Sequence, residues 1–139
     1  MVSSGARVAG TGVLSDSGTI KAMKVGIVGS RGFADLSAVA AYVRGLPPGT
    51  TVVSGGAQGV DSVAEKEAER LGLATEIYRV DTVGVSSRGE FARRAHARNQ
   101  IIVDVSDRLV AFWDGQSRGT ADTIRRAGEA SKEVEVVTI

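Results

Sequence analysis

From residue 24 onward the chain alternates between short β-branched runs and longer stretches whose apolar residues fall three to four apart. Lys24-Val25-Gly26-Ile27-Val28 predicts a buried strand, and Leu36, Val39, Ala40 and Val43 predict the helix after it. Gly45 and the breaker Leu46-Pro47-Pro48-Gly49 close that helix. Thr51-Val52-Val53 predicts a second strand. Val60, Val63, Ala64, Ala68 and Leu71 then give a helix one apolar face, with Glu65, Lys66, Glu67, Glu69 and Arg70 on the other. Thr75 to Val80 predicts a third strand, and Glu90 to Val103 a helix with Phe91, Ala95, Ile101 and Ile102 inward. Arg108 to Trp113 predicts a fourth strand and Val134 to Ile139 a fifth. Between them Ala121, Ile124, Ala127 and Gly128 supply a small-residue face for packing on a sheet.

Strands alternating with helices predict an α/β fold: a Rossmann-like, doubly wound sheet of about five parallel strands with helices on both faces. In such sheets ligands bind beyond the carboxyl ends of the strands, near a topological switch point. That rule puts the loops Gly29 to Phe33, Ser54 to Asp61, Asp81 to Arg88 and Asp114 to Thr120 on one rim. The stretch Ser54-Gly55-Gly56-Ala57-Gln58-Gly59 leads from strand into helix, where backbone N–H groups converge on an anion and glycine admits a close ligand. It is neither a Walker A loop nor GxGxxG.

Composition narrows the function. There are no cysteines, which excludes disulfides and thiolate chemistry, and the single histidine, His96, leaves no histidine cluster, so no metal site is expected. A net charge of +1 advertises no nucleic-acid partner, and none is expected. No apolar run is long enough for a bilayer and no signal peptide is evident, so a cytoplasmic location is expected. Residues 1–22, rich in Ser, Gly, Ala and Thr, read as a flexible N-terminal extension, with a strand pairing around Arg7 to Leu14 as the alternative. Met23 is a candidate natural start, and residues 23–139 form the folded domain.

Four motifs in order, GSRGF from Gly29, SGGAQGVD from Ser54, HARNQ from His96 and AFWDGQSRGTADTI from Ala111, resemble the SLOG superfamily. That Rossmann-like group includes the DprA/Smf DNA-processing proteins and the LOG (Lonely Guy) phosphoribohydrolases, and the pattern looks closest to the small YspA/YpsA-related branch. The resemblance covers nearly everything from Lys24 onward. It implies a nucleotide-binding Rossmannoid, often a homodimer; Ile101 and Ile102 beside a basic segment put the Glu90–Val103 helix near the expected contact. In LOG enzymes the last loop reads PGGxGTxxE, and its glutamate works with an arginine of the preceding helix to cleave a nucleoside monophosphate. Here Gly119 and Thr120 align with the GT and Arg98 with the arginine, but Thr123 stands where the glutamate belongs. Asp122 is adjacent, yet one residue on a helix turns the side chain by ~100°.

The reading is therefore a nucleotide or nucleotide-derived ligand held at the rim. From the first loop the candidate contacts are Gly29, Ser30, Arg31 and Phe33; from the second, Ser54, Gly55, Gly56, Ala57, Gly59 and Asp61. Arg98, with Arg94 on the same helix face, and Asp114, Gly115, Ser117, Gly119 and Thr120 complete the set. Arg31 suits a bidentate phosphate clamp, and Asp61 reads first as a favourable helix-start carboxylate, with acceptance from ribose hydroxyls as its functional role. His96 reads as a surface contact, and Trp113 as a core or interface residue rather than a base-stacking one. No cofactor is assigned beyond the nucleotide. Two alternatives remain: a LOG-like phosphoribohydrolase using Arg98 and Asp122, which leaves enzymatic activity open, and DprA-like handling of single-stranded DNA.

Overall fold

A computed structural model describes residues 13–14, 20–21 and 23–138. The expected flexible extension lies outside the described residues except for two short strands, β1 (Val13–Leu14) and β2 (Ile20–Lys21), which pair antiparallel. The domain that follows runs β3 (Lys24–Gly29), α1 (Leu36–Arg44), β4 (Thr51–Ser54), α2 (Val60–Arg70), β5 (Ala74–Ile77), α3 (Arg88–Val105), β6 (Arg108–Phe112), α4 (Arg118–Glu129) and β7 (Glu133–Val137). The five strands β3 to β7 form one parallel sheet in the order β5-β4-β3-β6-β7. The chain winds outward from β3 to one edge, then crosses to β6 and winds to the other. This is the expected α/β Rossmann-like fold, and its switch point lies between β3 and β6.

Each face of the sheet carries its own core. Val25, Ile27, Val52, Val110 and Phe112 pack against α1 and α2, with Val39, Val43, Val60, Ala64 and Ala68. The alternate residues Val28, Val53, Leu109 and Ala111 pack against α3 and α4, with Ile102, Val103 and Ala127. The two-residue period of a strand thus supplies both layers, which is why β6 is buried along its whole length. At Gly29 a Cβ would lie 2.5 Å from Val60, so the end of β3 and the start of α2 pack with no room for a side chain.

The elements match the expected ones with shifted ends. The third strand stops at Ile77 rather than Val80, and just beyond it the Arg79 side chain donates to the Gly56 carbonyl at 2.7 Å. Helix α3 begins at Arg88, two residues early, where the Ser87 hydroxyl accepts from the Glu90 N–H at 3.1 Å. On α3, Ile102 is buried as expected, whereas Phe91 and Ile101 are exposed at 44% and 43%. Asn99, Ile102 and Val103 are the buried residues of this helix.

Candidate functional site

The switch point is held together by one serine. Ser30, 1% exposed, follows β3 directly; its N–H donates to the Phe112 carbonyl at 3.0 Å, and its hydroxyl accepts from the Asp114 N–H at 3.2 Å. The same hydroxyl lies 3.3 Å from that of Thr120. Ser30 therefore ties the loops after β3 and β6 together beneath the rim. Phe33 also lies below: it is 3% exposed and meets Phe112 edge-on at 5.5 Å, in the core rather than at the rim expected for it.

Above them opens a cleft of about 650 Å³, within the range of small-ligand sites. The loop after β3 contributes Gly29 and Arg31; the loop after β4 contributes Gly55, Gly56, Ala57 and Asp61. The loop after β6 adds Asp114, with Ser117, Gly119, Thr120 and Thr123 from the start of α4. Three of the four expected rim loops thus converge on the cleft. Gly59 and Gly115 do not line it; both are in the left-handed region, at φ +83° and +81°, and shape the loops. Ser54 is fully buried below, donating to the Glu65 carboxylate at 2.6 Å and accepting from the Gly56 N–H at 3.3 Å.

Helix α3 forms the remaining wall. Phe91, Ala95, Arg98 and Ile102 are spaced for one helix face, and that stripe runs from the exposed lip to the buried floor. Arg98 Nη1 donates to the carbonyls of Gly55 at 2.7 Å and Tyr78 at 3.3 Å, while Nε donates to Asn99 Oδ1 at 3.1 Å. Burial pushes its guanidinium below the ordinary value, and the charge of Asp61 opposes that. Arg94, four residues earlier, does not line the cleft; it holds the β5–α3 loop through the carbonyls of Asp81 and Val83 and pairs with Glu90 at 2.9 Å. His96 lies on the cleft wall. Trp113 donates its indole N–H to the Ser117 carbonyl at 3.0 Å, bracing the loop after β6.

Two carboxylates act on the loops themselves. Asp114 Oδ1 accepts from the N–H groups of Gln116 and Ser117 at 2.9 and 2.8 Å, and these bonds hold its carboxyl below the usual carboxylate range. Asp61, 6% exposed, accepts from the Ala57 N–H at 3.0 Å. Its desolvation outweighs the loop N–H groups and Arg98, and the carboxyl is pushed up to about 6. The start of α4 differs: Ser117 provides no side-chain cap for the N–H groups that follow it, its own N–H being taken by Asp114, and Ser117, Gly119 and Thr120 of this helix start line the cleft. No cluster of three or more histidines or acidic residues among the described residues is arranged for a metal.

Asp122 does not reach the cleft. It pairs with Arg126 at 2.7 Å and Arg125 at 2.8 Å and accepts from Asn99 Nδ2 at 3.1 Å, joining α4 to α3. Burial works against its charge, but those hydrogen bonds prevail and hold the carboxyl low. Thr123 does line the cleft, 3% exposed, its hydroxyl turned back to the Gly119 carbonyl at 3.2 Å. Sequence reasoning missed Arg79 and Asn99 as lining residues; Arg79 sits in a connection without periodicity, and Asn99 becomes visible as the buried polar position of α3 only in the stripe with Ala95 and Ile102.

Over residues 12–90 the sequence matches the family described as DNA recombination-mediator protein A. Among solved structures it is similar to DNA processing protein A (DprA) from Streptococcus pneumoniae, with TM-score 0.70 and 23% identity, covering 83% of this chain and 50% of that one. It is also similar to DNA processing protein A from Helicobacter pylori, whose structure describes a single-stranded DNA binding mode. There the TM-score is 0.66 at 22% identity, covering 82% of this chain and 64% of that one. This chain thus spans half the length of the first relative and under two thirds of the second. No curated protein matches the sequence. The family and the fold agree with the SLOG resemblance. They overturn the expectation that nucleic acid is not a partner, since DNA processing protein A of Helicobacter pylori binds single-stranded DNA. Net charge was a poor guide because it averages the whole surface. The cleft gathers Arg31, Arg79 and Arg98, none of them in an ion pair among the described residues.

Proposed function

The chain belongs to the DNA recombination-mediator protein A family, and from that premise we propose that its cleft binds nucleotides presented in a single strand of DNA. One phosphate sits at the uncapped start of α4 beside Arg31, and one base lies against Phe91. The observation that carries this reading is Phe91: a phenylalanine 44% exposed on the wall of a cleft that also holds unpaired arginines. An exposed aromatic beside cations is what a base and its phosphate need together, and stacking contributes ~1–3 kcal/mol per base without demanding a sequence. The helix start supplies backbone donors and a favourable dipole for the phosphate.

Fluorescence anisotropy with a labelled oligothymidylate tests it. Single-stranded DNA should bind more tightly than duplex of equal length, and Phe91→Ala should weaken binding by about ten- to a hundredfold. Arg31→Ala should weaken it too, and lower the salt dependence by close to one phosphate contact. Binding that both substitutions leave intact would remove the cleft from the DNA path.

A further inference from the structure

The N–H groups of the glycine loop, which would receive a ligand's phosphate, already have acceptors inside the protein. Gly56 N–H donates to the Ser54 hydroxyl at 3.3 Å, and Ala57 N–H to Asp61 Oδ2 at 3.0 Å. The nearby Gly55 N–H also favours the charged form of the Asp61 carboxyl. A Cβ placed on Gly55 would lie 2.5 Å from Arg98 Nη1 and 3.1 Å from Asp61 Oδ2, so guanidinium and carboxylate flank one backbone position. Yet the two groups form no ion pair within bonding distance. The Arg98 charge instead leans on the carbonyls of Gly55 and Tyr78. A carboxylate thus meets a loop N–H in the way a phosphate oxygen would, at the edge of a cleft lined by Arg31, Arg79 and Arg98.

We propose that Asp61 is a built-in stand-in for a ligand phosphate oxygen, filling a second anion subsite in the glycine loop and yielding it when it takes up a proton. The proposal rests on the cleft being a phosphate-binding site, as argued above, and names how that site is regulated. With Asp61 ionised, the loop N–H groups and part of the Arg98 charge are satisfied internally, and an incoming phosphate meets a like charge. With Asp61 protonated, the repulsion is gone and the Ala57 N–H and the Arg98 charge turn to the ligand. The carboxyl titrates at about 6 because it is desolvated, so the change falls within a range cells experience. The other charged groups around it are Glu65 on α2, Arg98 and His96 on α3, Arg79 before α3, Arg31 after β3 and Asp114 after β6. Glu65 raises the Asp61 value and is itself held by the Ser54 hydroxyl. Histidine is the usual sensor near neutral pH, so His96 is the competing explanation.

The experiment is oligothymidylate binding between about pH 7.5 and about pH 5.5, where phosphodiesters keep a constant charge. Wild-type affinity should rise by about tenfold or more as the pH falls, because only the protonated fraction is fully competent. Asp61→Asn should bind tightly and equally at both ends, and His96→Gln should keep the wild-type dependence. A pH dependence that survives in Asp61→Asn, or disappears in His96→Gln, overturns the proposal. Carbon-13 NMR of the Asp61 carboxyl gives an independent reading: its titration midpoint should move upward when inorganic sulfate is added. A midpoint that sulfate leaves in place also overturns it. Absence of DNA binding at every pH would sink the proposed function, while the sulfate titration would still decide the role of Asp61.

Discussion

Arg98 Nη1 donates to the carbonyl oxygen of Gly55 at 2.7 Å, joining α3 to the glycine loop across 43 residues of sequence. Its other bonds, to Tyr78 and Asn99, pull the end of β5 and the body of α3 to the same point. The arginine expected as a bare ligand contact is therefore also the clamp that shapes the cleft floor.

This dual role makes Arg98 sensitive to shape as well as charge. Arg98→Lys keeps the positive charge, but a single ammonium cannot reach Gly55, Tyr78 and Asn99 together. Losing charge-assisted bonds to buried acceptors costs about 1.5–3 kcal/mol. Both Arg98→Lys and Arg98→Ala should lower stability in urea titrations, with Arg98→Ala also losing DNA affinity. A lysine variant indistinguishable from wild type in both assays would show that the fork geometry is irrelevant.

Asp61 carries a stability signature separate from binding. Its folded-state value, about 6, lies above that of an exposed carboxylate, so the native state takes up the proton more readily than the unfolded chain. The resulting stabilisation is fully present below the unfolded value and is lost as the pH rises through about 6. Asp61→Asn carries no such term. Relative to wild type it should gain stability as the pH rises from about 4 to about 7, by at most about 3 kcal/mol. Denaturation midpoints that track each other across this range would mean that Asp61 titrates as an ordinary carboxylate.

The sheet, its order of elements and the rim loops were legible because β-branched runs, glycine turns and helical spacing all agreed along the chain. What the side chains do on that rim was not. Ser30 and Phe33 stand in the same short loop as Arg31, yet the turn points the serine into the switch point and the phenylalanine into the core. Of these three side chains only that of Arg31 lines the cleft. Asp61 was legible as a helix-start acid, but that its carboxylate fills the loop depends on a backbone path that sequence does not specify. Phe91 was expected inward from its spacing with Ala95; the stripe is real, but its outer end faces the cleft rather than the core. Charge failed most clearly, since a total over the chain says nothing about where unpaired arginines collect.

Lys132 tests a part of the fold remote from the rim. Its ammonium donates to the carbonyls of Val103, Asp104 and Ser106 at 2.9, 2.9 and 2.6 Å. These groups lie at the C-terminal end of α3, which has no basic residue in its own last turn, and a cation there also suits the helix dipole. Lys132→Met keeps the stem and removes all three bonds, so it should cost about 1.5–3 kcal/mol. DNA binding by the folded fraction should be unchanged. A methionine variant as stable as the wild type would mean water replaces the ammonium without loss.

The phosphoribohydrolase alternative asks Asp122 to replace a glutamate at position 123. Thr123 lines the cleft and Asp122 does not, as the ~100° turn between successive helical residues requires. Asp122 is held instead by Arg125, Arg126 and Asn99, so reaching a sugar would mean breaking ion pairs that fix α4 against α3. N-glycosidic cleavage needs a preorganised negative group beside the developing cation, and removing one such group typically costs ~10²–10³ in turnover. Incubation with AMP, followed by chromatography for free adenine, should therefore detect no release at ordinary enzymatic rates. Asp122→Asn should lower stability, by about 1–3 kcal/mol, through the arginines it leaves unpaired. Thr123→Glu should weaken DNA binding, because it sets a carboxylate beside the α4 start where the phosphate is expected. Adenine release by the wild type that Asp122→Asn abolishes would restore the enzymatic reading, and tighter DNA binding by Thr123→Glu would move the phosphate away from α4.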